Sequence, residues 1–415
     1  SGQKCSATSL LILEREVYED AGFKRQLTDA ARSLDTGSAW DFENRVGPLI
    51  RPPEGDLLRG LTQLEPGESW ALEPRNVPGN PHLWTPGIKY GVRPGSYTHT
   101  TEFFGPVLGV MCAENLDHAV RLANQTGYGL TSGLESLDRS EQERWKAGIV
   151  AGNLYINRGT TGAVTLRQPF GGMRKSALGA GIKAGGPDYV SQFMDFEETG
   201  CPPAGPVEND RALLRLAADW RLKLQWGRMA SFRKDLEKTV RAVESYLYRF
   251  EHDFVKEKDY FHLRGQDNLF RYLPITGMVV RLHPEDSLFE ALARIAAAKI
   301  CGCGLSVSMP EEMDGPVAAF LEGKDGARLL GDTPVFRQGD GDLISMMPCI
   351  QRIRYAGAER VPAAVYRAAA RTGFHIAASP VIMEGRLELL HYFRQQSICD
   401  NYHRYGNLGE RTFVK

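Results

Sequence analysis

Residues 152–172 read GNLYINRGTTGAVTLRQPFGG. Gly152 to Asn157 form a short apolar run bounded by turn formers, which predicts a buried strand. Behind it come Thr160, Thr161, Gly162 and Ala163, all small. Standing alone, this segment reads as a plain turn. A glycine there also lets a ligand carboxylate approach the backbone, and successive N–H groups can cradle an anion. Outward from this stretch, strands are predicted at 7–13 (ATSLLIL), 105–111 (GPVLGVM) and 129–136 (GLTSGLES). Phe23, Leu27, Ala31 and Leu34 recur at helical spacing, as do Leu116, Ala119, Val120 and Ala123. Ser140 and Glu143 read as a capping box for a short helix through Trp145. Alternating strands and helices predict an α/β fold with a mostly parallel sheet covered on both faces.

The composition changes at 197–210 (EETGCPPAGPVEND), where three prolines and two glycines read as a linker. A charged helical stretch follows from about 211 to 258, with Leu236, Val240, Val243 and Leu247 as its apolar stripe. Then α/β alternation returns. Strands are predicted at 277–282, 304–310, 350–357 and 374–382, and Ser287 with Glu290 forms a capping box. His283, Glu285 and Asp286 allow an acid–base cluster, but the cap and a solvated loop account for the acids.

Bulk properties narrow the function classes. Lys and Arg number 50 against 51 Asp and Glu, so the 415-residue chain has a net charge of −1 and no nucleic-acid footprint. No apolar run approaches the ~20 residues of a membrane span. The start lacks the charged-then-apolar order of a secretory signal. The seven cysteines are odd in number and irregular in spacing, which points to a reducing cytoplasm rather than a disulfide framework. Cys301 and Cys303 form a C-x-C pair with no further ligands nearby, so no metal is expected.

Cys5 lies in SGQKCSA, among small and polar residues that leave a thiol accessible, with Lys4 beside it. Taken with TEFFGPVLGV (101–110) and 152–172, in this order, the chain resembles the aldehyde dehydrogenase superfamily. HLWTPGIKYGV (82–92), NRGTTGAV and PFGGMRKSALGAGIKAGGPDYV make it similar, within that superfamily, to the glutamate-semialdehyde dehydrogenase module of proline utilization A enzymes, which join proline oxidation to this step. The resemblance is strong over 1–199. It is less sharp over the second half, where QSICDNYHRYGNLGER contributes to it.

The resemblance implies a catalytic domain at 1–199 with a C-terminal oligomerisation strand, a linker and helical segment at 200–265, and a Rossmann-like, non-catalytic domain at 266–415. It implies NAD-dependent oxidation of glutamate γ-semialdehyde to glutamate through a Cys5 thiohemiacetal and thioester. Glu102 and Phe104 are implied to hold the cofactor, and Ser6, Gly162, Ala163 and Phe170 the substrate. Arg174 stands where many members carry glycine, outside direct contact with substrate. In the family the NAD-binding domain, a glutamate general base and an oxyanion-binding asparagine precede the cysteine. The expectation is therefore a fragment, inactive alone, of a longer enzyme that also carries FAD at a proline-oxidising domain. The strand expected within 187–198 (PDYVSQFMDFEE) would build a homodimer. A cytoplasmic enzyme, peripherally membrane-associated at most, is implied. The alternatives are an aldehyde dehydrogenase for another aldehyde and a non-catalytic scaffold.

Overall fold

The computed structural model describes residues 1–207, 212–227 and 229–402. Its strands are β1 (Leu10–Glu14), β2 (Ser69–Leu72), β3 (Gly87–Tyr90), β4 (Val107–Ala113), β5 (Thr131–Leu134), β6 (Asn153–Ile156), β7 (Lys258–Asp259), β8 (Asp267–Pro274), β9 (Met278–Arg281), β10 (Leu305–Met309), β11 (Val335–Arg337), β12 (Arg352–Arg354), β13 (Ile376–Ala377) and β14 (Phe393–Asp400). They form a mixed α/β structure, as the alternation predicts.

The first sheet has the order β1-β4-β3-β2, parallel except for the β2–β3 pair. Helix Ala21–Arg32 places Phe23, Leu27 and Ala31 against Leu13, Ile88, Tyr90 and Val110 on one face. Leu34 falls beyond the helix and is exposed. Helix Leu116–Gln125 covers the other face with Ala119 and Leu122, while its Leu116, Val120 and Ala123 turn to a second sheet. The next helix, Arg139–Gly148, is capped by Asp138, whose carboxylate accepts from the Ser140 N–H at 2.7 Å. The expected Ser140–Glu143 box is not the cap. Asp138 stands one residue before the helix and Ser140 is already inside it.

The second sheet joins the two halves of the chain. Its order is β5-β6-β14-β8-β7. β14 runs parallel to β6, with Ser397 opposite Asn153, and antiparallel to β8 along its whole length. The sheet therefore crosses both boundaries drawn at 199 and 265. Within the single chain, 187–198 pairs with no other strand among the described residues. Tyr189–Phe193 is a 3₁₀ turn followed by irregular chain. The place beside β6 is taken by β14. Asp188 is buried and accepts from Tyr272 Oη (2.6 Å) and Gln395 Nε2 (2.7 Å), and pairs with Arg386. These contacts hold the segment's start against the second half of the same chain.

The third sheet, β11-β10-β9-β12-β13, is parallel throughout. Helix Leu288–Ile300 covers one face, and helices Asp340–Met346 and Ala363–Thr372 the other. This is the doubly wound pattern expected of the second half. Ser287 and Glu290 do form the capping box. In the helical segment, helix Arg233–Arg249 buries Leu236, Val240, Val243 and Leu247 against Leu288–Ile300. Cys301 and Cys303 flank the end of that last helix at Gly302, whose φ is +72°. Among the described residues no group of three or more His, Cys, Asp and Glu side chains is placed to hold a metal, and no helix is long and apolar enough to cross a membrane.

Candidate active site

Cys5 sits in a turn just ahead of β1, closed by the Ala7 N–H donating to Lys4 O at 2.9 Å. Two contacts fix that turn. Gly2, at φ +72°, packs so close to the 101–105 loop that a Cβ would lie 2.3 Å from Gly105 O, so only glycine fits there. On the other side, Thr160 Oγ1 donates to Ser6 O at 2.8 Å and lies 3.2 Å from Thr8 Oγ1. The turn carrying the thiol is thus clamped between the loop after Tyr97–Thr100 and the loop after β6.

A cleft of about 860 Å³ opens along this clamp, and Cys5, Glu102, Phe104, Arg158 and Thr160 line it. Cys5 is exposed. Glu102 is exposed and its carboxylate engages no described residue. Phe104 is held at φ +54°, a left-handed conformation that is unusual for an aromatic residue, and is 39% exposed. Strain of this kind concentrates where a side chain must be presented. The structure therefore brings Cys5, Glu102 and Phe104 to one opening.

The other expected residues stand apart from the cleft lining. Ser6 is buried and its carbonyl is committed to Thr160. Gly162, at φ +110°, and Ala163 are exposed in the following loop, and Phe170 is half-buried and bridged to Ala184. The reading missed what shapes that loop. Arg158 donates to Thr161 O (2.8 Å), Gly159 O (3.2 Å) and the sulfur of Cys399 on β14 (3.0 Å). Burial raises the pKa of the Cys399 thiol, against the pull of Arg158, so it stays protonated at neutral pH. No local signal in the sequence points from residue 158 to residue 399.

The third sheet of the second half is packed at its carboxyl edge by charged side chains. On a doubly wound sheet, ligands bind beyond the carboxyl ends of the strands. Here that edge is occupied. Arg281 donates to Ser308 Oγ (2.9 Å), Gln338 O (2.9 Å) and Asp340 Oδ1 (3.0 Å). Arg294, fully buried, bonds Arg281 O and Arg354 O and pairs with Asp286, which also takes Arg360 at 2.7 Å. Asp286 is thus a buried ion-pair partner rather than part of a solvated loop or an acid–base cluster.

Residues 1–198 match the aldehyde dehydrogenase family. The 1-pyrroline-5-carboxylate dehydrogenase of Bacillus subtilis is 35% identical over 202 residues, which is 48% of this chain and 38% of that protein. The enzyme of the same name from Geobacillus thermodenitrificans is 35% identical over 200 residues, 47% of this chain and 37% of its own length. A solved structure of proline utilization A from Corynebacterium freiburgense extends the likeness to the second half. It is 36% identical with a TM-score of 0.75, over 97% of this chain and 36% of that one. The chain therefore spans little more than a third of these relatives' lengths.

Proposed function

We propose that this chain supplies the catalytic cysteine of an enzyme that oxidises glutamate γ-semialdehyde to glutamate with NAD. The observation that carries the proposal is the convergence of Cys5, Glu102 and Phe104 on one cleft. Glu102, an unengaged carboxylate, is suited to accept hydrogen bonds from ribose hydroxyls, and the exposed Phe104 ring to pack against a nicotinamide. These residues fit the nicotinamide end of the cofactor. NAD, when bound, accepts the hydride.

The chain's own part is covalent. The Cys5 thiolate adds to the aldehyde carbon, and backbone N–H groups of its turn stand beside the developing oxyanion. Loss of hydride leaves a thioester on Cys5, which water cleaves to free the carboxylic acid. Thr160 holds the turn in place throughout. The loop of Gly162 and Ala163, braced by Arg158, is assigned to the amino-acid end of the substrate. Ser6 and Phe170 keep a supporting place around the aldehyde. The packed strand edge of the third sheet supports a second half that binds no dinucleotide. The reading implies a cytoplasmic catabolic enzyme, self-associating as a dimer through 187–198, with FAD at a separate proline-oxidising site.

The test is NADH formation by the enzyme that carries this sequence, with glutamate semialdehyde set against propanal. We expect kcat/KM to favour the semialdehyde by about a hundredfold or more, because a site that hydrogen-bonds the amino-acid end loses those bonds with propanal. Equal use of both aldehydes would favour a dehydrogenase for another substrate, and no oxidation of either would favour the scaffold.

A further inference from the structure

Beside the end of the cleft lined by Asn124, Lys175 and Ser176, the structure gathers arginines with no carboxylate partner among the described residues. Arg352, on β12, is buried and spends its donors on backbone: Nη1 to His391 O (2.7 Å) and Phe393 O (3.1 Å), Nη2 to Ala180 O (2.9 Å). Its Nε is buried without a partner. The next residue after Phe393 is Arg394, partly buried, whose Nε is likewise buried without a partner. Arg174, in the loop that contains Ala180, is exposed and bonds Asn124 O at 2.6 Å. It holds φ +53°. That is a left-handed conformation in which a non-glycine residue is strained.

Arg394 is coupled electrostatically to each of the other two. Burial, and then the neighbouring Arg174, lowers the pKa of Arg394. Burial lowers that of Arg352 to about 10, with Arg394 adding to the effect against Cys303. Among the described residues no carboxylate pairs with any of the three. Guanidinium does not lose its proton at neutral pH, so it answers burial by taking a counter-charge. Arg352 has partial compensation from three carbonyls, and Arg394 has none.

We propose that Arg394, Arg174 and Arg352 form a binding site for a small oxyanion, a phosphate or carboxylate group, where the 174–180 loop meets β14. Arg394 and Arg174 present the donors, and Arg352 supplies a fixed positive background behind them. An oxyanion bridging Arg174 and Arg394 would tie the 174–180 loop to the second half. The strained backbone at Arg174 is then the cost of presenting its guanidinium.

The experiment is calorimetric titration of the 415-residue chain with inorganic phosphate and separately with L-glutamate, against potassium chloride at matched ionic strength. Saturable binding of phosphate or glutamate, absent with chloride, is expected, and the arm that binds tighter identifies the head group. Arg394→Gln should weaken it at least about tenfold, the loss typical of one charge-assisted hydrogen bond. Arg174→Gly should weaken it similarly while leaving the thermal midpoint without anion unchanged or higher, because glycine accepts φ +53° freely. This second variant keeps the test decisive if Arg394→Gln fails to fold. Failure of both anions to bind, or unchanged affinity in Arg174→Gly, would overturn the proposal.

Discussion

Among the described residues Glu102 has no partner for its carboxylate, which leaves it available to a ligand. Losing one charge-assisted hydrogen bond typically costs about 1.5–3 kcal/mol. Glu102→Ala should therefore raise the KM for NAD or slow hydride transfer by roughly ten- to a hundredfold. Steady-state kinetics with unchanged KM and kcat would remove it from the site. Thr160 acts differently, through the backbone of the Cys5 turn. Thr160→Val leaves the Ser6 carbonyl without its donor, and we expect kcat to fall while the NAD KM holds and stability changes by only about 0.5–1.5 kcal/mol. A preserved kcat would show that the clamp is dispensable. Cys5, Glu102 and Phe104, each singled out from a compact local motif, line one cleft. Thr160 and Arg158 were not legible in the sequence, because their partners lie 154 and 241 positions away.

Elements were legible where their side chains follow a hydrophobic period. The stripe of helix Arg233–Arg249 and the cap at Ser287 are examples. β14 escaped because FRQQSICD does not read as an apolar strand. Gln395, Gln396, Ser397 and Asp400 are all buried there. Their burial is tolerated because they are bonded across the sheet: Gln395 Oε1 takes the Lys183 N–H (2.8 Å), Gln396 Nε2 reaches Ala151 O (2.8 Å) and Ser397 Oγ reaches Pro169 O (2.7 Å). Such pairings are set by tertiary structure, which no window of sequence contains. Asp188 is the pin of this arrangement. Asp188→Ala should destabilise the chain by about 3–5 kcal/mol, because it leaves Arg386 and two hydrogen-bond donors uncompensated. A urea midpoint within error of wild type would contradict that.

At the scale of the molecule, the shared second sheet makes the two halves one structural unit. Residues 1–199 alone retain β5 and β6 but lose the strand that pairs with β6, and a two-stranded remnant is marginal in water. We expect that piece to lack a cooperative thermal transition. A sharp unfolding transition would mean the first half stands by itself. The second half also sets an acid limit. Burial, with help from Arg354 and Arg352, pushes His391 well down, and burial with the same arginines pushes His375 down to about 3. Unfolded histidine titrates near 6.5. Between these values the unfolded chain binds more protons, so stability rises with pH. The contribution is complete above about pH 6.5 and is lost as pH falls toward 3. Urea midpoints should drop from pH 7 to pH 4, and His375→Gln should flatten the dependence. A midpoint independent of pH over that range would show that neither imidazole is buried in neutral form.

The account rests on one thiol at the junction of the two loops. The direct measurement is NADH formation from glutamate semialdehyde by the enzyme that carries this sequence, as wild type and as Cys5→Ala. The account predicts that the variant still binds NAD, measured by fluorescence titration, yet forms no detectable NADH. Substantial aldehyde oxidation without the Cys5 sulfur would contradict it.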